Sequence, residues 1–235
     1  MSRMSRREFV GAATGAGLVL GGASKPAEAQ FVYKKSDWSM VAFEKLVHDP
    51  AHAKQVFDII NINDGKFLNS IKNSLNGLHF SFGLPDNNIK ILVGLHGPAN
   101  MLAYDDALWS KYQIGDWLKV TDPSTGQPAT RNPFRANAKI KDMKYASEDP
   151  DSFDSIYQDT SVQALQHRGV VFLSCHTALE EQARALIQRN PLKQDPEEVV
   201  HEMMSHALPG VVIIASMGSA MALLQIDGHY SYVTL

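Results

Sequence analysis

The fold of this chain is indicated most directly by GVVFLSCHTALEEQ, residues 169–182, where an apolar run passes straight into a polar, helix-prone stretch. Two similar apolar runs, at 89–95 and 210–216, are also followed by segments with helical spacing. Short apolar runs that alternate with helices are typical of strands buried on both faces of a parallel sheet. The sequence therefore predicts an α/β fold around a mainly parallel sheet of about five strands.

The outer strands and the helices are predicted from the same alternation. KQVFDIINI, residues 54–62, favours a first strand, although a helix also fits this run, and YSYVTL at 230–235 favours a last strand. Apolar residues at helical spacing predict helices after Asp64, after Asn100 and over 155–169. Asp64 and Asn100 are the expected N-caps of the first two, because their side chains can accept hydrogen bonds from free backbone N–H groups.

The first 29 residues have the pattern of an export signal. Paired arginines, Arg6 and Arg7, precede a short Gly/Ala-rich apolar run, and small residues up to Ala29 fit cleavage by a signal peptidase. The arginine pair is typical of the twin-arginine (Tat) class. A membrane anchor is the alternative, but the run is short and glycine-rich for a core of about 30 Å. We therefore expect a Tat signal at 1–29, passage through the Tat translocase, and a periplasmic or otherwise exported protein.

The remaining chain, residues 30–235, is long enough for one sizeable core and is predicted to form a single α/β domain. Residues 119–152 interrupt the alternation, since they contain four prolines and no apolar periodicity. Connections of this length without their own secondary structure are uncommon in compact domains. The segment is therefore predicted to be an insertion that forms either a surface arm or a subunit contact.

Composition and motifs exclude several classes of function. The net charge is −3, and no dense stripe of Lys and Arg interleaved with aromatic residues occurs, so nucleic-acid binding is not expected. His201 and His206 are separated by five positions, whereas a metal-binding pair on a helix is usually separated by four. No CxxC, P-loop or GxSxG motif is present in the predicted mature chain. We therefore expect no metal and no cofactor.

The single cysteine, Cys175, lies where a predicted strand gives way to a helix. A helix N-terminus and the neighbouring His176 would both stabilise a reactive thiolate. The alternative is an inert thiol, because free cysteines are often buried as small apolar residues. The sequence leaves both interpretations open.

Residues of chemical interest follow the predicted strands at their C-terminal ends, which is the edge where parallel α/β sheets bind ligands. Cys175 is the candidate catalytic residue. The candidate ligand-binding residues are His96, Gly97, Asn100, Ser174, His176 and Ser216.

Three segments resemble, in order and spacing, the DsrE/DsrF-like family and especially its exported members. They are IKILVGLHGPA (89–99), RGVVFLSCHTAL (168–179) and LPGVVIIASMGSAMALLQIDGHYSYV (208–233). The resemblance implies a flavodoxin-like three-layer sandwich and homo-oligomers, often trimers or hexamers. In sulfur-relay members a cysteine carries sulfur as a persulfide. Cys175 would be the counterpart of the family's cysteine, and His96 would occupy its His-Gly position.

Two functions follow as hypotheses. The first is an exported protein that handles sulfane sulfur through a persulfide on Cys175, with His176 and the helix start holding the thiolate. The second is a non-catalytic binding or assembly protein that uses the same rim for a small anion, with a structural cysteine. The expected ligand is therefore a small sulfur-containing or anionic molecule in both cases.

Overall fold

Five parallel strands form the sheet in the computed structural model, which describes residues 36–190 and 194–235. The strands are β1 (Ala53–Ile59), β2 (Ile89–Leu95), β3 (Val171–Cys175), β4 (Val212–Ile214) and β5 (Ser231–Thr234). Their order across the sheet is β4-β3-β2-β1-β5, so the last strand returns to pair with the first. The predicted signal peptide, with Arg6, Arg7 and Ala29, lies outside the described residues.

The central strand β2 shows why continuous apolar runs were informative. Ile91, Val93 and Leu95 are buried in the core on one side of the sheet, whereas Leu92 is buried in a second core on the other side. Side chains alternate between the two faces of a strand, so a strand covered on both faces needs apolar residues at every position. Burying each aliphatic side chain contributes about 1.5–3 kcal/mol.

Helices cover both faces of the sheet. They are α1 (Met40–Val47), α2 (Lys66–Asn76), α3 (Asp106–Lys111), α4 (Ile114–Leu118), α5 (Val162–His167), α6 (His176–Arg189), α7 (Pro196–Ser205) and α8 (Met217–Ile226). Helices α2 to α7 contribute to the core on one face, and α1 and α8 contribute to the core on the other. The predicted α/β, flavodoxin-like three-layer sandwich with a five-stranded parallel sheet is therefore confirmed.

The chain path changes from one face of the sheet to the other at one point. The connections that link β1 through β4 place their helices on the first face, whereas the connection from β4 to β5 places α8 on the second. The chain therefore leaves the neighbouring strands β3 and β4 towards opposite faces. In open parallel sheets ligands bind at such a switch point, beyond the carboxyl ends of the strands.

Three predicted helices begin or extend differently in the structure. Asp64 does not cap α2, because it lies in a left-handed turn (φ 55°) and the helix begins at Lys66. Asn100 does not cap α3, because it lies within a buried 3-10 segment, Gly97–Ala103, and the Asp105 side chain accepts from Leu108 N instead. The helix expected over 155–169 is limited to α5, preceded by a 3-10 turn at Ile156–Gln158.

Residues 119–152 contain no assigned helix or strand apart from one bridge, between Thr121 and Pro128. Parts of this segment are nevertheless tied to the rest of the protein. The buried Asn132 side chain donates to Tyr104 O at 2.9 Å, and the Asn132 backbone N–H donates to Asp106 Oδ1 at 3.0 Å. Within the segment, Arg131 pairs with Asp122 at 2.8 Å. The described part of the chain has no helix of the length and apolarity needed to cross a bilayer.

Candidate functional site

The three predicted strand-end residues follow neighbouring strands at the same edge of the sheet. His96 comes directly after β2, Cys175 ends β3, and Ser216 lies shortly after β4. Because these strands are adjacent and parallel, the residues share one rim. The prediction of a shared rim is confirmed. The predicted site residues differ in burial. His96, Gly97 and Ser216 are partly exposed, whereas the remaining four are buried, namely Asn100, Ser174, Cys175 and His176.

Asn100 and Ser174, both predicted to bind a ligand, lie fully buried in a hydrogen-bonded network. Asn100 Oδ1 accepts from Ser174 Oγ (2.9 Å) and from Cys175 N (3.0 Å). Asn100 Nδ2 donates to Gln182 Oε1 at 3.1 Å. Tyr104 Oη lies 2.6 Å from Ser174 Oγ, and burial raises the pKa of Tyr104, which keeps its hydroxyl protonated. These polar atoms have protein partners, so the network fixes the end of β3 to the segment that follows β2.

The Cys175 thiol is buried, with only 4% of the residue exposed. It packs with apolar residues of the second face, among them Ile214, Ala220 and Met221. Its sulfur accepts a hydrogen bond from Met217 N–H, at the start of α8, over 3.4 Å. The thiol is therefore shielded from solvent in this structure.

His176 is also buried, and its ring is surrounded by charged and aromatic partners. Nε2 lies 3.1 Å from Asp37 Oδ2 and Nδ1 lies 3.2 Å from Glu180 Oε1. The Trp38 ring meets the imidazole edge to face, with centroids 5.4 Å apart. The two carboxylates hold the ring from opposite nitrogens and so fix its orientation. His176 therefore anchors the segment that precedes α1 and does not face an open ligand pocket.

His96 belongs to a second polar cluster, which we call the rim triad, formed by Asp58, His96 and Tyr232. Asp58 lies near the end of β1, and Tyr232 lies in β5 on its other side. His96 Nε2 is 2.6 Å from Asp58 Oδ1, and Tyr232 Oη donates to Asp58 Oδ2 at 2.5 Å. The bond to Asp58 raises the pKa of Tyr232, so the phenol remains a donor. Both carboxylate oxygens are thus engaged, which fixes the orientation of the imidazole.

The other ring nitrogen of His96 is available. With Nε2–H donated to the carboxylate, the neutral imidazole carries its lone pair on Nδ1, and this atom has no hydrogen-bond partner among the described residues. The His96 side chain is 28% exposed. Asp58 and Tyr232 were not predicted from the sequence. The one available signal was a carboxylate in an otherwise apolar strand, in QVFDII.

Beside Ser216, a small apolar cavity of about 90 Å³ lies between α1, α8 and the end of β4. Its lining includes Trp38, Met40, Ser216 and Leu223. The cavity is on the second face of the sheet, on the side of the Cys175 cluster. It holds few polar groups, so it offers little to orient an anion.

No group of three or more His, Cys, Asp or Glu side chains is placed to hold a metal ion among residues 36–190 and 194–235. Comparisons of the chain with protein-family models, with curated proteins and with solved structures found no match. The function is therefore inferred from the geometry of the rim.

Proposed function

We propose that this chain is an exported, DsrE-like binding protein that holds a small anion on the rim beside His96. One observation carries the proposal: among the predicted site residues that contain a side-chain donor or base, His96 combines partial exposure with an unengaged ring nitrogen. When protonated, Nδ1–H would donate to an anion, and Asp58 behind the ring would stabilise the imidazolium.

Gly97 supports close approach of a ligand at this position. Its φ is +50°, a conformation that glycine adopts without strain. A Cβ atom there would lie only 3.1 Å from Ile60 Cγ2 and 3.3 Å from Ile60 O. A side chain at this position would therefore be strained and crowded, so the backbone beside His96 carries none.

The test is a histidine-selective NMR titration with thiosulfate and, separately, with phosphate. The His96 ring signals should shift saturably, and His96→Asn should remove the shift. His206 is a matched reference, because it also pairs with a carboxylate, Asp105, at 3.0 Å and has a similar exposure of 30%. Equal shifts at His96 and His206, or no shift at either, would contradict an anion site on the rim.

A second candidate function is sulfane-sulfur handling at Cys175, favoured by the Met217 N–H bond to the sulfur. A backbone donor at a helix start stabilises negative charge on sulfur. The thiolate would attack the outer sulfur of thiosulfate, forming a Cys175 persulfide and releasing sulfite as the S–S bond breaks. Mass spectrometry should then show one added sulfur atom in wild type and none in Cys175→Ser. Without that added mass, after incubation with either thiosulfate or polysulfide, this second function has no support.

Export is proposed from the leader sequence. Replacing Arg6 and Arg7 together with Lys should leave the uncleaved chain in the cytoplasm, because the paired arginines are the expected Tat recognition feature. Fractionation and N-terminal sequencing measure the result. A mature N-terminus at Gln30 in that double variant would argue against the Tat route.

Homo-oligomers, trimers or hexamers, are proposed from the resemblance. Exposed apolar side chains on the α1 and α8 surface support association, namely Met40, Val41, Leu223 and Ile226. Surfaces of this kind often mark protein contacts. Light scattering at micromolar concentration should give a mass several times that of one chain, and a monomer would count against the proposal.

A further inference from the structure

We infer that His96 is a general base that takes a proton from a neutral ligand, one that carries a weakly acidic O–H or S–H group on an apolar body. The inference rests on the proposed anion site and deepens it, since the anion held by His96 would be generated there from its conjugate acid. The elements that carry the inference are the rim triad and the surface beside it.

Asp58 and Tyr232 are positioning residues in this scheme. Asp58 takes the Nε2–H bond at 2.6 Å, which selects the tautomer with a free lone pair on Nδ1. Tyr232 occupies the second carboxylate oxygen and so restricts rotation of Asp58. A base whose ring is oriented by a carboxylate has the arrangement required of a general base, and the carboxylate stabilises the imidazolium formed by proton transfer.

The surroundings of the triad favour an apolar ligand body. Ile60 is 48% exposed and contacts the Gly97 position beside His96, and Tyr232 is 44% exposed on the other side of Asp58. Among the described residues, Asp58 has an ion pair with His96 and none with Lys or Arg. The rim therefore offers apolar contact area beside one base, which suits an acid with an apolar body.

The proton step is balanced without a further reactant. The ligand's O–H or S–H bond breaks, its electron pair stays on the oxygen or sulfur, and the proton forms a bond to Nδ1. The product is a ligand anion hydrogen-bonded to the His96 imidazolium, whose positive charge faces Asp58. In this state His96 contacts two charged groups. One is the Asp58 carboxylate of the described chain, and the other is the ligand anion.

The experiment uses 4-nitrophenol, a neutral aromatic acid that turns yellow when it loses its proton. Absorbance is followed over a pH series with the full mature protein in excess. The midpoint of phenol ionisation should fall by about one pH unit when bound, a roughly tenfold gain in the ionised form below the phenol's own pKa. His96→Asn should abolish the shift, and His206→Asn should leave it unchanged.

Further variants separate a positioning role from a merely structural one. Asp58→Asn should reduce the shift at least severalfold and alter its pH profile, and Asp58→Glu should restore part of it. Tyr232→Phe should have a smaller effect, because one carboxylate oxygen still holds His96. Circular dichroism confirms that each variant is folded before its absorbance is interpreted.

Two outcomes overturn the inference. One is a wild-type protein that binds the phenol without moving its ionisation midpoint, and the other is an equal loss of the shift in His96→Asn and His206→Asn. Failure of the proposed function is recognised separately by the NMR titration. If thiosulfate shifts the His96 signals but the bound phenol stays protonated, the anion site is supported and the general-base role of His96 is refuted.

Discussion

Replacing Asn100 with Ala should be among the most destabilising single changes on the rim. The variant leaves Cys175 N–H and Gln182 Oε1 without their partner at buried positions. Each unpaired group costs about 1–2 kcal/mol. Removing the amide from a fully buried side chain also leaves a small void, which adds about 1 kcal/mol. The expected loss of unfolding free energy is therefore about 3–5 kcal/mol, a large part of the total stability of a typical domain.

Urea denaturation followed by circular dichroism measures this loss. The slope of the unfolding free energy against urea concentration should stay unchanged. Tyr104→Phe is the matched control in the same network. It removes one hydroxyl, while Ser174 still donates to Asn100, so its cost should be about 1 kcal/mol. If Asn100→Ala is no more destabilising than Tyr104→Phe, the buried network does not fix the end of β3 as argued.

Three further changes test other parts of the structure. Gly115→Ala should destabilise strongly, by about 3 kcal/mol or more, because its Cβ would lie 2.2 Å from Ala129 O; thermal unfolding measures the effect. Ser124 and Arg131 lower the pKa of Asp122 to about 2, so the stabilising contribution of this carboxylate is present above about pH 4 and is lost as pH falls towards 2. The melting-temperature difference between wild type and Asp122→Asn should therefore shrink over that interval. Cys175 should resist alkylation in native protein and react at the rate of a free thiol in urea.

Each of these three predictions has either a control variant or an outcome that would contradict it. Gly77→Ala is the reference for Gly115, because a Cβ at Gly77 meets nothing within 4 Å. An unchanged melting-temperature difference between pH 6 and pH 2 would contradict the role given to Asp122. Rapid alkylation of Cys175 without denaturant would show that the thiol is reached from solvent and would favour the sulfur-handling function.

The sequence predicted the strands well because each buried strand is a local pattern of apolar residues. It predicted helix starts less well at Asp64 and Asn100, where tertiary contacts decide the backbone. Asn100 has a good capping side chain, but a buried position beside β3 gives that side chain stronger partners than a helix start would.

The candidate site was predicted only in part for a similar reason. His96 was found because it ends an apolar strand. Its partners Asp58 and Tyr232 meet only because β5 lies beside β1, and a single sequence does not specify which strands are neighbours. The burial of Cys175 depends in the same way on α1 and α8 covering the second face of the sheet.

The pairing of β5 with β1 affects the order in which parts of the sheet can fold during synthesis. Tyr232 and Asp58 are 174 residues apart in the chain. At roughly 5–20 residues per second on the ribosome, about 9–35 s pass between synthesis of β1 and arrival of its second neighbour. During that interval one edge of β1 has no strand to pair with, and open edges of this kind invite contact with other unfinished chains. We therefore expect early folding to proceed around the β1 to β4 portion and the rim triad to be completed late.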